Sequence, residues 1–156
     1  MLNSFTNEYS VIYNLEKHSL FWAIHNNDIE KLKGLMEAEE NNIDILETKN
    51  IRGLTTLHYA VRFCNIDTLH FLLNKSSGKY IDILDEDKNT LLHTAININN
   101  PQKVQAIINH NPELKLRNNE NLTPICLARQ IKNLNHKIKT MLKEYIALYK
   151  KLNIVK

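Results

Sequence analysis

The chain has 156 residues, of which 43% are hydrophobic, enough for a single domain with its own core. Its formal net charge of +3 lacks the concentrated positive charge of a nucleic-acid-binding surface. No stretch approaches the roughly 18 apolar residues of a membrane-spanning helix, and two isolated cysteines give no disulfide framework. These features predict a soluble cytoplasmic monomer without an integral membrane segment and without a nucleic-acid partner.

The first predicted elements are an N-terminal cap, residues 1–16, and a helix pair within residues 17–49. The cap contains several large apolar side chains and is expected to fold back over the helix pair. The two helices are predicted over about residues 19–26 and 29–36, with Asp28 as the N-cap of the second. The acidic stretch 37–42 is predicted to be a surface insertion.

Two helix pairs of matching layout follow, at residues 55–63 and 66–74 within segment 50–84, and at residues 90–97 and 101–109 within segment 85–117. Asn65 and Asn100 are predicted N-caps, and Pro101 follows at the first helical position, where a missing N–H costs nothing. Leu69 and Leu72 lie on one helical face, which predicts that they are buried.

The final segment, residues 118–156, is predicted to open with a helix at Thr123 and to end in a long capping helix from about residue 134 to 152. One stripe of this helix is apolar and is expected to cover the preceding helices: Ile138, Met141, Leu142, Tyr145, Ile146 and Tyr149. Lysines occupy much of the remaining surface. They are either simply solvated or form a surface that meets anionic lipid or an acidic partner.

A short pattern recurs along the chain as Thr-Thr-Leu-His-Tyr-Ala at 55–60, Thr-Leu-Leu-His-Thr-Ala at 90–95 and Thr-Pro-Ile-Cys-Leu-Ala at 123–128. The two histidines are 93 − 58 = 35 residues apart, and the last two threonines are 123 − 90 = 33 apart. A period near 33 with this signature is typical of stacked helix-pair repeats. The copies resemble the ankyrin repeat, and residues 20–30 resemble a degenerate earlier copy.

The resemblance implies one all-α domain, an ankyrin-like solenoid of about four helix-turn-helix repeats with terminal capping helices. It also implies a non-catalytic module that binds a partner protein on a concave face of loop tips and inner helices. The alternative is a dedicated regulatory or inhibitory subunit. Asparagine makes up about one residue in seven, a bias usual for an AT-rich genome. That bias allows a secreted factor of an intracellular bacterium or parasite, acting on proteins in the host cytoplasm.

The predicted protein-binding residues lie at the loop tips and at two inner-helix positions per repeat: Ile51, Arg52, Leu54, Arg62, Phe63, Glu86, Asp87, Asn89, Asn97, Ile98, Gln130 and Ile131. The equivalent positions of the degenerate copy are His25 and Asn26. Phe63, Ile98 and Ile131 are expected to align as an exposed apolar stripe, unless they tuck between the helices as packing.

The recurring histidines, His58 and His93, are the strongest candidates for metal binding or catalysis. The resemblance assigns them instead to hydrogen bonds between neighbouring loops, with the rings about 10 Å apart and too distant to share a zinc ion. The acidic run 82–87 lacks calcium-loop spacing and is predicted to be a solvated loop. No catalytic set and no Gly-rich phosphate loop is present. The sequence therefore predicts no enzyme, no cofactor and no metal.

Overall fold

The computed structural model describes residues 19–37, 45–50 and 52–154, with side chains as far as residue 151. The regular elements in these ranges are eight helices: α1 (19–26), α2 (Ile29–Glu37), α3 (Thr56–Phe63), α4 (Ile66–Lys75), α5 (Leu91–Asn97), α6 (Pro101–Ile108), α7 (Pro124–Gln130) and α8 (His136–Ile154). The predicted N-terminal cap, most of the predicted insertion and Ile51 lie outside the described residues.

The helices form two stacked layers. The inner helices α3, α5 and α7 pack on one another in order, and the outer helices α4, α6 and α8 do the same. Each outer helix follows its inner helix after a short turn, so the chain advances one helix pair at a time. The predicted all-α solenoid is confirmed. Within the ranges that the structure describes, no helix is both long and apolar enough to cross a membrane.

Side-chain caps fix where the helices begin. The hydroxyl oxygens of Thr55, Thr90 and Thr123 each accept a hydrogen bond from the backbone N–H three residues later, at 3.3, 3.4 and 3.2 Å. Asn65 and Asn100 cap the outer helices in the same way, at 2.8 and 3.1 Å. These caps satisfy backbone donors that have no partner inside the helix. The predicted N-caps Asn65 and Asn100 are confirmed, as is Asp28, whose Oδ1 accepts a hydrogen bond from the Lys31 backbone N–H at 3.0 Å.

Two of the turns within helix pairs, α1–α2 and α5–α6, depend on asparagine. Asn27 and Asn99 have φ values of 57° and 55°, in the left-handed region that asparagine tolerates better than most residues. Their side-chain oxygens accept hydrogen bonds from the backbone N–H groups of Asn65, at 2.6 Å, and Asn135, at 2.8 Å. Each turn is thereby attached to a later part of the chain.

The long helix α8 closes the described end of the solenoid. Ile138, Leu142 and Tyr145 are buried, and α8 packs against α6. The Tyr145 hydroxyl donates a hydrogen bond to the Pro112 carbonyl oxygen at 2.9 Å. The prediction that the apolar stripe packs on the preceding helices is confirmed for α6.

Replacing Leu72 tests how much the packing of the outer helix α4 contributes to stability. Leu72 is fully buried, so replacing it with alanine removes apolar contacts and leaves a cavity. We expect Leu72→Ala to lower the free energy of unfolding by about 2–5 kcal/mol, measured by urea denaturation. Leu148→Ala is the control, because Leu148 is exposed on α8. A loss below about 1 kcal/mol for Leu72→Ala contradicts the packing described here.

Candidate functional site

The loop tips between successive helix pairs share one local structure. Asn50, Asp85 and Asn118 stand at equivalent places, 85 − 50 = 35 and 118 − 85 = 33 residues apart. The side-chain oxygen of each accepts a hydrogen bond from the backbone N–H four residues later, at 3.1, 2.8 and 3.0 Å. Asp85 is buried in this role. The prediction of a solvated acidic loop is therefore wrong for Asp85, although Glu86 is exposed as expected.

The recurring histidines link each inner helix to the next loop. His58 Nε2 lies 2.8 Å from the Asn89 carbonyl oxygen, and His93 Nε2 lies 2.9 Å from the Leu122 carbonyl oxygen. Because a carbonyl oxygen can only accept, each Nε2 must carry the proton. Each Nδ1 then accepts from the hydroxyl of the capping threonine, at 2.8 Å in α3 and 2.9 Å in α5. The predicted structural role of both histidines is confirmed.

Burial keeps both imidazole rings neutral. Desolvation lowers the pKa of His58 from 6.5 to about 4, although the Asp85 carboxylate and the hydrogen bond to Asn89 act in the opposite direction. Desolvation also lowers the pKa of His93. In residues 19–37, 45–50 and 52–151, no group of three or more His, Cys, Asp or Glu side chains is placed to hold a metal ion.

A cleft of about 330 Å³ opens between the loop tips and the inner helices. We call it the polar cleft, and its lining residues are Arg62, Asp87, Asn89, His93, Thr94, Asn97, Asn118, Asn119, Glu120 and Leu127. Its wall is held by hydrogen bonds between neighbouring loops. Asn119 N–H donates to the Asp87 carbonyl oxygen at 2.8 Å, and Asn118 Nδ2 donates to Asn89 Oδ1 at 3.1 Å. The cleft is therefore preformed by three successive repeats.

The polar cleft brings together four of the predicted binding residues: Arg62, Asp87, Asn89 and Asn97. Sequence reasoning missed the third loop tip. Asn119 and Glu120 are the equivalents of Glu86 and Asp87, since 119 − 86 = 33 and 120 − 87 = 33. The loop spacing alone could have identified them.

The other predicted residues lie outside the polar cleft. Arg52, Glu86 and Gln130 are exposed, and the Glu86 side chain lies over Gly53, whose φ of +70° suits a tight turn. Leu54 is only 8% exposed and offers a partner little surface. Ile131 is half-buried against the core.

Phe63 belongs to an aromatic cluster that we define as Phe21, His25, Tyr59 and Phe63. The ring centroids of Tyr59 and Phe63 are 4.5 Å apart, those of Phe21 and Tyr59 are 5.0 Å apart, and those of His25 and Phe63 are 6.2 Å apart. Phe63 is nevertheless 45% exposed. The cluster joins α1 to α3 and ends directly beside Arg62 in the chain.

Lys103 is a buried cation outside the polar cleft. Its Nζ donates a hydrogen bond to the Val61 carbonyl oxygen at 2.6 Å, which ties the outer helix α6 to the inner helix α3. Burial lowers the pKa of Lys103 and raises the pKa of the Cys64 thiol to about 11. Cys64 is therefore protonated at neutral pH and is a poor nucleophile.

Comparisons with known proteins agree with this architecture. Residues 20–73 match the family model for ankyrin repeats (many copies). A stretch of 89 residues is 30% identical to inversin of Canis lupus familiaris, covering 57% of this chain and 8% of that protein. The chain thus spans only a small part of this relative. The solved ankyrin repeat domain of Bcl-3, described as a unique member of the IkappaB protein family, aligns with a TM-score of 0.68. The alignment has 20% sequence identity and covers 81% of this chain and 56% of that one.

Proposed function

Because this chain is built from ankyrin repeats, which are generally protein–protein interaction modules, we propose that it binds a partner protein on its concave face and catalyses no reaction. The observation that carries the proposal is the polar cleft. Its side chains come from the inner helices and from the loop tips, the two parts of each repeat that can meet a partner together. The partner is proposed to span several repeats.

The chemistry of the polar cleft favours a polar segment of the partner. Arg62 supplies a positive charge, Asp87 and Glu120 supply negative charges, and Asn97 and Asn119 supply amide donors and acceptors. Charges of both signs select a partner segment by complementarity and fix its register. Arg62 and Asn97 are carried on helices, and the other three side chains are carried on two loops that are hydrogen-bonded to each other, so little ordering is needed on binding.

The aromatic cluster supplies the apolar contact beside the polar cleft. Phe63 is held by Tyr59 and His25, so its exposed ring loses little freedom when a partner covers it. Aromatic and arginine side chains dominate binding energy at protein interfaces. Phe63 and Arg62 are therefore the proposed centre of the interface.

The test begins with affinity purification and mass spectrometry, which identify partners of the wild-type protein. We expect Arg62→Ala combined with Phe63→Ala to weaken the affinity for such a partner at least tenfold, about 1.4 kcal/mol, in calorimetry. The melting temperature should fall less than in Leu72→Ala, because Arg62 is exposed and Phe63 is 45% exposed, whereas Leu72 is fully buried.

The matched control replaces Leu148 and Lys150 with alanine. This pair also combines one exposed apolar side chain with one exposed cation, but it lies on α8. The control should bind like the wild type. Unchanged affinity in the Arg62 and Phe63 variant would place the partner on another surface.

A further inference from the structure

A second groove, of about 390 Å³, lies between α7 and α8 at the described end of the solenoid. We call it the terminal groove. Apolar side chains from both helices line it, among them Ile125, Ile131, Leu142 and Ile146. Four cationic residues also line it: Arg129, Lys132, Lys139 and Lys143. No acidic residue is among its described lining residues.

The apolar part of the terminal groove includes a position that is covered by a neighbouring helix in the preceding repeats. Ile125 stands two residues after the capping threonine, as do Leu57 and Leu92 in the two preceding repeats. Leu57 and Leu92 are fully buried in repeats whose inner helix packs against a following one. Ile125 is only half-buried in α7, the last inner helix among the residues that the structure describes. A helix placed along this groove would bury Ile125 as fully as Leu57 and Leu92 are buried in the earlier repeats.

The four cationic residues of the terminal groove favour an acidic helix as its occupant. All four side chains are exposed, and none makes an ion pair with another residue that the structure describes. An occupant with carboxylates flanking its apolar side gains charge-assisted contacts with them. A second copy of this chain that presented the same groove would bring eight positive charges together, which electrostatic repulsion opposes.

We propose that the terminal groove binds an acidic amphipathic helix of a partner protein. The apolar residues of that helix, spaced i, i+3, i+4 and i+7, lie on the Ile125 and Ile146 side chains, and its flanking Asp and Glu residues meet Lys139, Lys143 and Arg129. This surface lies on α7 and α8, whereas the polar cleft lies among α3, α5, the loop tips and Leu127 of α7, and the two sites share no lining residue. The proposal therefore goes beyond concave-face binding and does not depend on it.

The experiment is a selection of helical peptides on the full-length protein. Every library member carries an apolar stripe of varied composition, and the flanking positions are randomised among Glu, Gln and Lys. We expect glutamate to be enriched at the flanks. In fluorescence anisotropy, Lys139→Glu combined with Lys143→Glu should weaken the selected peptides at least tenfold.

The control variant combines Lys150→Glu with Lys151→Glu. It changes the net charge equally and on the same helix, but neither residue lines the terminal groove. It should bind the selected peptides within about twofold of the wild type. The Arg62 and Phe63 double variant should also bind them normally, which separates this inference from concave-face binding.

Several results would overturn the proposal. One is a selection that yields no binder or no preference for glutamate. Another is an equal loss of affinity in both glutamate variants, since that reflects net charge alone. The wild type could instead bind no peptide but sediment with anionic phospholipid vesicles, and the Lys139 and Lys143 variant could lose that sedimentation. This result would assign the groove to a membrane surface. A dimer of the wild type that the same variant dissociates would assign it to self-association.

Discussion

Lowering the pH from 7 to about 4 should cost the protein roughly 3 kcal/mol of folding free energy through His58 alone, since its pKa falls from 6.5 to about 4 on folding. Well above pH 6.5 the ring is neutral in both states and contributes no pH dependence. Between pH 6.5 and 4 the unfolded chain binds the proton and the folded protein does not. Stability therefore falls as the pH falls through this window. Protonation of Nδ1 also removes the acceptor for the Thr55 hydroxyl.

His93 acts in the same direction, because burial lowers its pKa as well. Asp82 acts in the opposite direction, because burial raises its pKa and the folded protein takes up that proton more readily. The measurement is urea denaturation at pH values from 7.5 to 4. Replacing His58 and His93 with glutamine should lower stability at pH 7 and flatten the profile between pH 6.5 and 5. A variant with the wild-type slope would show that other groups control acid unfolding.

Removing residues 134–156 should abolish cooperative folding. Ile138, Leu142 and Tyr145 are buried side chains of α8, and losing the burial of each costs about 1.5–3 kcal/mol. Together that is roughly 5–9 kcal/mol, comparable with the whole stability of a small domain. The truncated chain should lose its thermal transition in circular dichroism and aggregate through the uncovered face of α6.

A shorter truncation is the matched control. Removing residues 151–156 keeps all three buried side chains of α8, so this chain should melt close to the full-length temperature. A longer truncation that remained monomeric with an unchanged melting temperature would contradict the role assigned to α8.

The repeat architecture was predictable because its signals are local and recur. The spacing of Thr55, His58 and Ala60 returns at later positions, and caps such as Asn65 depend only on neighbouring backbone groups. The long capping helix was predictable from its apolar stripe. These interactions repeat with the period of the chain, so each copy supports the interpretation of the others.

The orientation of single side chains was less predictable, because it depends on how each turn is built. Ile98 and Ile131 are equivalent in sequence, but Ile98 ends α5 with a helical ψ of −3°, whereas Ile131 ends α7 with an extended ψ of 105°. The turn before α8 is longer than the turn before α6. Ile131 is consequently drawn towards α8, and no pattern within the repeat itself indicates this.

The polar cleft was predictable in part. Arg62 and Asn97 follow the recurring alanine in their repeats, so their exposure on the inner helices could be inferred. Asn119 and Glu120 became part of the site through hydrogen bonds between neighbouring loops, which join residues about 33 positions apart. The sequence does contain that spacing. The two loop tips carry different side chains, however, Glu86 and Asp87 in one and Asn119 and Glu120 in the next.

The asparagine turns have a consequence for how such a scaffold evolves. A glycine at position 27 or 99 would adopt the left-handed backbone with less strain, but it would have no side chain to accept the N–H of Asn65 or Asn135. Asparagine supplies both the conformation and the bond. Its codons are also rich in A and T, so mutational drift in that direction supplies a residue that these turns can use. A solenoid of this kind can change its amino-acid composition substantially and still keep the same fold.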